Sequence, residues 1–380
     1  MPNPHDAIRT EPVVTRRQLD RFIRLPWSLY GSDPQWVPPL IFELKQRLSK
    51  HNPFFRHARW QAFTAWQGNN MVGRISAQID DLYLQHHPEP AGYFGMLEAI
   101  DDPGVFTALF DAAETWLRDN GMREARGPFN LSINEECGLL VDGFDTPPCI
   151  MMGHARPYYG QQVETCGYNK ARDLLAYTIP PDFDAPRVML KLAERAVRTN
   201  VRVRPLERKQ LKQELEVLRD IFNDAWSNNW GFVPFTAAEF SDIGKMLTLL
   251  VDDDFVQIAE LDGEPVAFIV ALPNVNAVIH DLNGRLLPLG WLKLLWRLKA
   301  KFPTSARVPL MGVRRSHQQT RLGPTLAFLV IDAVRQALIR RGVTEVELSW
   351  ILEDNDGMRN IIETIGGVAY KRYRVYQKSL

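Results

Sequence analysis

The chain has 380 residues, 45% of them hydrophobic and 24% charged, and Lys plus Arg balance Asp plus Glu at a formal net charge of zero. This is ordinary globular composition, enough for about two domains, and it excludes a chain-wide field favouring nucleic acid or membrane. Cys137, Cys149 and Cys166 lack CxxC spacing, which argues against a zinc site and a disulfide scaffold.

The first residues carry no apolar signal core, and no uncharged apolar run reaches the roughly 18 residues of a membrane span. The expectation is a cytoplasmic protein without metal. "QAFTAWQGNNMVGRISAQI" (61–79) reads as strand, polar turn, strand. "FDAAETWLRDNGMREARG" (110–127) reads as an amphipathic helix, a glycine stop and a strand. A long segment, "SINEECGLLVDGFDTPPCIMMGH" (132–154), then precedes "VETCGYNKARDLLAY" (163–177). A long insertion at a strand end is often functional.

The same order returns further on. "VQIAELDGEPVAFIVALP" (256–273) is a second strand, turn and strand. "IDAVRQALIRRGVTEVEL" (331–348) aligns with 110–127, matching Asp111, Ala112, Leu117 and Gly121 to Asp332, Ala333, Leu338 and Gly342. "IETIGGVAYKRYRVY" (362–376) aligns with 163–177, matching Glu164, Thr165, Gly167 and Tyr177 to Glu363, Thr364, Gly366 and Tyr376. Each half reads helix, hairpin, helix, strand, helix, hairpin, so the fold is duplicated. The proline-rich "IPPDFDAPR" (179–187) is the expected linker.

Within the second half, "ARVPLMGVRRSHQQTRLGPTLAFLVIDAVRQAL" (306–338) reads as strand, basic loop and long helix. Backbone N–H groups and the dipole at a helix start bind phosphate oxygens, and glycine lets a phosphate approach closely. Gly323 holds that position, preceded by Arg314, Arg315, His317 and Arg321.

On these residues the second half resembles the GNAT (GCN5-related N-acetyltransferase) superfamily, which binds acyl-CoA through a loop of pattern Q/R-x-x-G-x-G/A. Gln318 matches the first position and Gly323 the last, while Arg321 replaces the middle glycine. The resemblance implies a CoA site made by Gly312, Val313, Arg314, Arg315, Gln318, Arg321, Leu322 and Gly323, with direct guanidinium contact from Arg321. Asn355, in "ELSWILEDNDGMRNIIETIGG", matches the asparagine that opens the next helix. Ile362 stands where many members place a tyrosine acid. In the first half the corresponding loop is "AIDDPGVF", where Asp101 and Asp102 would repel a pyrophosphate. The implied fold is α/β (α+β), two tandem GNAT-like domains, each a mixed, mostly antiparallel sheet flanked by helices. The expected divisions are 1–179 without CoA, 180–200 as linker and lead-in helix, and 201–380 with acyl-CoA.

"LLPLGWLKLLWRLKAKF" (286–302) interrupts the second half where GNAT proteins have a short turn. As one helix it gathers Trp291, Leu294, Leu295, Leu298 and Phe302 on one face and Lys293, Arg297 and Lys301 on another. No Asp or Glu occurs from Leu282 to Ile331. This is the composition of an interfacial helix, suited to CoA phosphates or anionic lipid. An apolar lid here would favour long acyl chains, at about 0.8 kcal/mol per buried methylene. With "WSNNWGFVP", "NGRLLPLGWLKLL" and "SWILEDN", the chain resembles the bacterial ceramide synthase group, which implies acyl transfer from acyl-CoA to the amine of a long-chain base; the charged amphipathic stretch itself adds the expectation of peripheral contact at the inner membrane surface.

Proton-transfer candidates are Glu353 after "SWIL", His280 at the end of an expected strand "NAVIH", and Tyr373 on the last strand. Expected acceptor-binding residues are Trp226, Asn229, Trp230, Trp291, Leu295 and Glu136. Two other readings remain open: an aminoacyl-tRNA-dependent transferase of tandem GNAT fold, which the neutral charge and phosphate loop disfavour, and a lipid-binding protein with a decayed CoA site.

Overall fold

A computed structural model describes residues 7–196 and 199–380. In the first half the strands are β1 (Ile8–Pro12), β2 (Ala58–Gln67), β3 (Asn70–Asp80), β4 (Ala91–Ala99), β5 (Glu124–Gly127), β6 (Phe129–Asn130), β7 (Glu136–Cys137), β8 (Leu139–Asp142) and β9 (Asn169–Ile179). Its helices are α1 (Arg16–Tyr30), α2 (Ile41–Arg47), α3 (Asp81–His86), α4 (Pro103–Asp119) and α5 (Tyr159–Thr165), followed by α6 (Arg187–Ala196). The second half adds β10 (Val201–Pro205), β11 (Val256–Leu261), β12 (Glu264–Pro273), β13 (Ser305–Val313), β14 (Glu345–Leu352) and β15 (Val368–Ser379). Its helices are α7 (Leu211–Trp226), α8 (Ala237–Leu250), α9 (Asn276–Ile279), α10 (Gly290–Lys299), α11 (Arg315–Gln318), α12 (Gly323–Arg340) and α13 (Asp356–Thr364).

The repeat is visible element by element. Hairpin β2–β3 matches β11–β12, helix α4 matches α12, and the helix–strand pairs α5–β9 and α13–β15 match each other. The matched helix stops are left-handed glycines, Gly121 and Gly342 at φ 84° and 82°, Gly167 and Gly366 at 87° and 95°. A side chain there would strain the backbone, which explains why glycine recurs at these positions. In β11–β12, Asp262 and Gly263 both have positive φ, the geometry an Asp-Gly hairpin adopts. Two details differ from the sequence reading. Each half closes on a helix and one long strand, not a hairpin, and a strand (β4 or β13) stands between the hairpin and the long helix.

The chain forms two compact units. Unit 1 comprises 1–174, 279–291 and 371–380, and unit 2 comprises 175–278 and 292–370. Unit 1 is a mixed sheet in the order β1-β2-β3-β4-β5-β15. All its pairs are antiparallel except β4–β5, and β8 also pairs with β15. Helix α4 buries Val105, Phe106, Leu109, Phe110, Ala113 and Leu117 against this sheet. On α1 and α2, Phe22, Ile23 and Ile41 join Leu48, Phe54 and Ala62 in one apolar cluster. A capping box at Thr15 and Gln18 starts α1.

Unit 2 runs β10-β11-β12-β13-β14 with β9 beside β14; β10–β11, β11–β12 and β12–β13 are antiparallel and β13–β14 is parallel. Helix α12 packs on β12 and β11 through Leu326, Val330, Val334 and Leu338. The architecture in each unit is the mixed, mostly antiparallel sheet with flanking helices that the resemblance implied.

Candidate active site

Parallel β13 and β14 pair only from Ser305–Glu345 to Val308–Leu348. The next residue on β13 is Pro309, which brings no N–H. On β14, Trp350 turns to φ 63°. Past these residues the two strands part, while β13 stays bonded to β12 as far as Val313. Among the described residues no strand pairs with β13 on the side facing the gap beyond Val308. Beside the last pair, Arg307 is fully buried. Its Nε donates to the Ser349 hydroxyl at 2.6 Å and lies 3.4 Å from Glu347, and its guanidinium stacks 4.0 Å over Trp350. The Tyr370 hydroxyl donates to Glu347.

The basic loop follows β13. Gln318 donates through Nε2 to the carbonyls of Ala225 and Val313 at 3.0 and 2.8 Å. Arg314 pairs with Asp220 at 2.6 Å and donates to the Pro265 carbonyl, and Arg315 donates its backbone N–H to Asp224 at 2.8 Å. Arg321 is exposed, with no ion pair among the described residues. The amide cradle expected at Gly323 is largely engaged within the loop. Gly323 N–H bonds the Thr320 carbonyl at 3.2 Å, Leu322 N–H bonds the Thr320 hydroxyl at 3.2 Å, and Pro324 has no N–H. Gly323 is buried, and a Cβ on it would lie 2.5 Å from the His317 carbonyl oxygen and 2.7 Å from that of Gln318. The glycine therefore lets the loop fold onto the helix start. Gly312 is buried against Phe268 and Ala225, and Val313 ends the strand.

Around this gap, Trp226 stacks on Phe222 at 5.2 Å and donates Nε1–H to the Met311 carbonyl at 3.0 Å. Asn229 and Trp230 lie in a turn closed by Asn229 N–H to the Trp226 carbonyl, with Gly231 at φ 68°. Glu353 follows β14, half-buried, and its carbonyl accepts from Arg359 at 2.8 Å. Arg359 Nε also reaches the Tyr177 hydroxyl, which donates to Glu363 at 3.0 Å. Burial, against the pull of Arg359, keeps the Tyr177 phenol above its ordinary value. This tyrosine was missed because it lies in the sequence of the first half. Asn355 is exposed and caps α13, accepting from Met358 N–H at 3.1 Å. Ile362 is a core residue packed on Gly367.

Several candidates fall in unit 1. His280 is exposed in a 3-10 turn after α9, not at a strand end, because 276–282 winds helically. Tyr373 is fully buried on β15, with its Cβ against Gly138. Asp101 accepts from Gln162, and Asp102 caps α4 by accepting from Gly104 N–H at 2.8 Å and from Gln67 at 3.1 Å. These carboxylates are therefore engaged at the helix start.

In unit 1 the equivalent gap is filled. Strands β4 and β5 pair only over Ala91–Tyr93 and Glu124–Arg126. The β6–β7 hairpin, whose second strand belongs to the insertion, enters beyond them. Gln78 donates to the carbonyls of Phe129 and Leu131 at 2.7 Å each, and Asn130 Oδ1 accepts from Met96 N–H at 2.7 Å. A Cβ on Gly95 would lie 1.9 Å from the Phe129 oxygen, so β4 and the hairpin touch backbone to backbone.

The same insertion builds a polar network absent from the sequence reading. Arg47 pairs with Glu135 at 2.5 Å and Glu136 at 3.2 Å and donates to the Asn130 carbonyl, while Asn130 donates to Glu136 at 2.8 Å. Burial works to raise the Glu136 carboxyl, but Arg47 and Asn130 hold it below its ordinary value. His154 Nε2 lies 3.0 Å from Asp33, and burial, opposed by Asp33, lowers the imidazole pKa. Tyr30 and Tyr159 both donate to Glu98, which burial raises against the pull of Arg74. The insertion's carboxylates were the only sequence signal. Arg47, Asp33 and Tyr30 sit on helices or turns far away in the chain.

No family model matches the chain. Protein YghO of Escherichia coli K12 is 50% identical over 368 residues, 97% of this chain and 94% of that protein. A protein named bacterial ceramide synthase, from Caulobacter vibrioides, is 49% identical over 375 residues, covering 97% of each chain. The chain belongs to their family. Solved structures give the family its fold. A tandem GNAT protein of the clavulanic acid pathway matches over 98% of both chains with a TM-score of 0.55 at 11% identity. A GCN5-related N-acetyltransferase of Sphaerobacter thermophilus matches with a TM-score of 0.52 at 14% identity, over 98% of this chain and 95% of that one. The family thus has the tandem GNAT fold, as the internal repeat and the 318–323 loop indicated.

Proposed function

We propose that the protein is an acyl-CoA-dependent N-acyltransferase. It moves a long-chain acyl group to the amine of an amphiphilic acceptor such as a sphingoid long-chain base. The observation that carries this reading is the near-full-length 49% identity to a protein named bacterial ceramide synthase. The parted strands β13 and β14, with an exposed arginine at the next helix start, support it.

The acyl donor occupies unit 2. Arg321 meets its phosphates by side-chain charge, since the loop amides are engaged. The gap beyond Val308 and Leu348 takes the thioester arm, and backbone N–H groups along the parted strands suit a carbonyl oxygen that gains charge. The neutral amine attacks the thioester carbon. The carbon–sulfur bond breaks, CoA leaves as a thiolate and takes up a proton, and the nitrogen loses one. Glu353, at the end of the parted strand, accepts the amine proton directly or through water. Trp226, Asn229 and Trp230 line the acceptor side.

The test is incubation of the purified protein with palmitoyl-CoA and sphinganine, reading N-acyl product by mass spectrometry and free thiol by a chromogenic reagent. Equal amounts of amide and thiol are expected. Absence of amide under conditions where CoA binds would overturn the reading in favour of a lipid-binding protein.

A further inference from the structure

The stretch from Arg285 to Lys301 is not explained by acyl transfer alone. Its helix is α10, shorter than the sequence suggested, and few of its apolar side chains reach a core. Leu298 is buried and Leu294 half-buried. Leu287 is 80% exposed, Leu289 67%, Trp296 59%, Leu292 47%, Leu295 46% and Trp291 45%. At about 100° per residue, Trp291, Leu295, Leu292 and Trp296 fall within one arc of about 140°, beside the arc that Leu294 and Leu298 bury. The exposed arc is therefore a second apolar face, distinct from the one that packs.

Charge says what covers it. Arg285, Lys299 and Lys301 are exposed around the face, and Lys299 projects within the apolar arc itself. No Asp or Glu lies between Leu282 and Ile331 to balance them. A protein partner with an apolar surface would have to bury Lys299. A bilayer would not, because lysine can place its ammonium at the lipid headgroups while its stem stays apolar. Tryptophan also favours that boundary. Among the described residues no helix is long and apolar enough to cross a membrane, so contact is in the plane of the interface.

We propose that residues 285–301 form a docking surface for an anionic lipid bilayer, with Leu287, Leu289, Trp291, Leu292, Leu295 and Trp296 entering the acyl region. The surface takes in Trp291 and Leu295, which the sequence placed on the acceptor side; vesicle binding is read without substrate, so it and the proposed acyl transfer can each fail without the other. Vesicles of equal parts phosphatidylcholine and phosphatidylglycerol are sedimented with the full chain. The parent is expected to sediment with them and to bind pure phosphatidylcholine more weakly. The variant Leu287→Ser, Trp291→Ser, Trp296→Ser should melt like the parent, since these side chains are exposed, and should lose at least about tenfold in vesicle affinity. Arg285→Gln, Lys299→Gln, Lys301→Gln should lose at least about tenfold on anionic vesicles only, roughly fivefold per cation near the surface at low salt. Val188→Ser, an exposed apolar position elsewhere, should bind as the parent does. A serine variant that sediments as before overturns the proposal. So does one that unfolds, because the face would then be packing, or a parent that forms a dimer through this face and ignores vesicles.

Discussion

Gly323→Ala isolates what the loop at the start of α12 contributes. The added methyl would lie 2.5 Å from the His317 carbonyl oxygen and 2.7 Å from that of Gln318, so something must move. The loop has little freedom upstream. Gln318 is held to Ala225 and Val313, Arg314 to Asp220 and Pro265, and Arg315 to Asp224. Relief must therefore come from Gln319–Leu322 and the first turn of α12, which displaces Arg321. Overpacking of this kind costs about 1–3 kcal/mol. If all of it appears in binding, CoA affinity falls by roughly 5- to 150-fold. If it appears in folding, the melting temperature falls by about 2–12 °C for a domain of this size. Calorimetry with CoA and a thermal melt on the same sample read both. A variant with unchanged affinity and unchanged melting would refute the reasoning, because the loop would then yield without cost.

Other perturbations test the remaining assignments. Arg321→Glu should weaken CoA binding by at least about tenfold in calorimetry, whereas Asp102→Ala should leave it intact while costing about 1 kcal/mol of stability through the lost α4 cap. Glu353→Gln should lower kcat by about 100-fold or more with CoA affinity retained, while exposed His280→Gln should not; the reverse outcome in steady-state kinetics would move the base to His280. Asp173 is buried and accepts two bonds from Arg374. Burial raises its carboxyl, but Arg374 and Lys170 outweigh this and hold it below its ordinary value. Its stabilisation is therefore present above the unfolded carboxylate pKa and is lost as pH falls through the lower folded value. Asp173→Asn should cost about 2–3 kcal/mol at neutral pH, less than a fully buried pair because Arg374 is partly exposed. In urea titrations below about pH 4 the difference should shrink.

The fold was readable because its determinants are local. Glycine stops recur at Gly121 and Gly342 and at Gly167 and Gly366, and amphipathic helices stand at matching positions, so the duplication shows without any long-range contact. The end of the "NAVIH" segment was misread for the same reason. A short apolar run fits strand and helix alike, and here the left-handed Asn283 and Gly284 close a helical turn that ties to α1 and α2 through Trp27 and Ile41. The length of α10 was overread because apolar periodicity continues through Leu286–Leu289, whereas the helix begins only at Gly290.

The site was half legible, and the missing half depends on which chain segment fills a gap. Both units let one parallel strand pair part. A proline and Trp350 do so in unit 2; Gly127 and Pro128 precede the separation in unit 1. Nothing local distinguishes their outcomes. The difference lies in residues 129–137, which pair with each other and take the space beside Met96 in unit 1, bonded by Gln78 and Asn130. A buried backbone edge must find partners somewhere, and here the insertion provides them. The insertion then carries Glu135 and Glu136 to Arg47, a charge cluster held together only after the gap is filled. Among the described residues unit 2 has no such hairpin, and past Val308 side chains reach β13 instead, Trp226 donating to the Met311 carbonyl and Gln318 to that of Val313. One duplicated fold thus uses the same parted strands twice, once filled by a backbone hairpin and once met by side chains; under the proposed function, the filled gap together with Asp101 and Asp102 would leave the first half without a donor site.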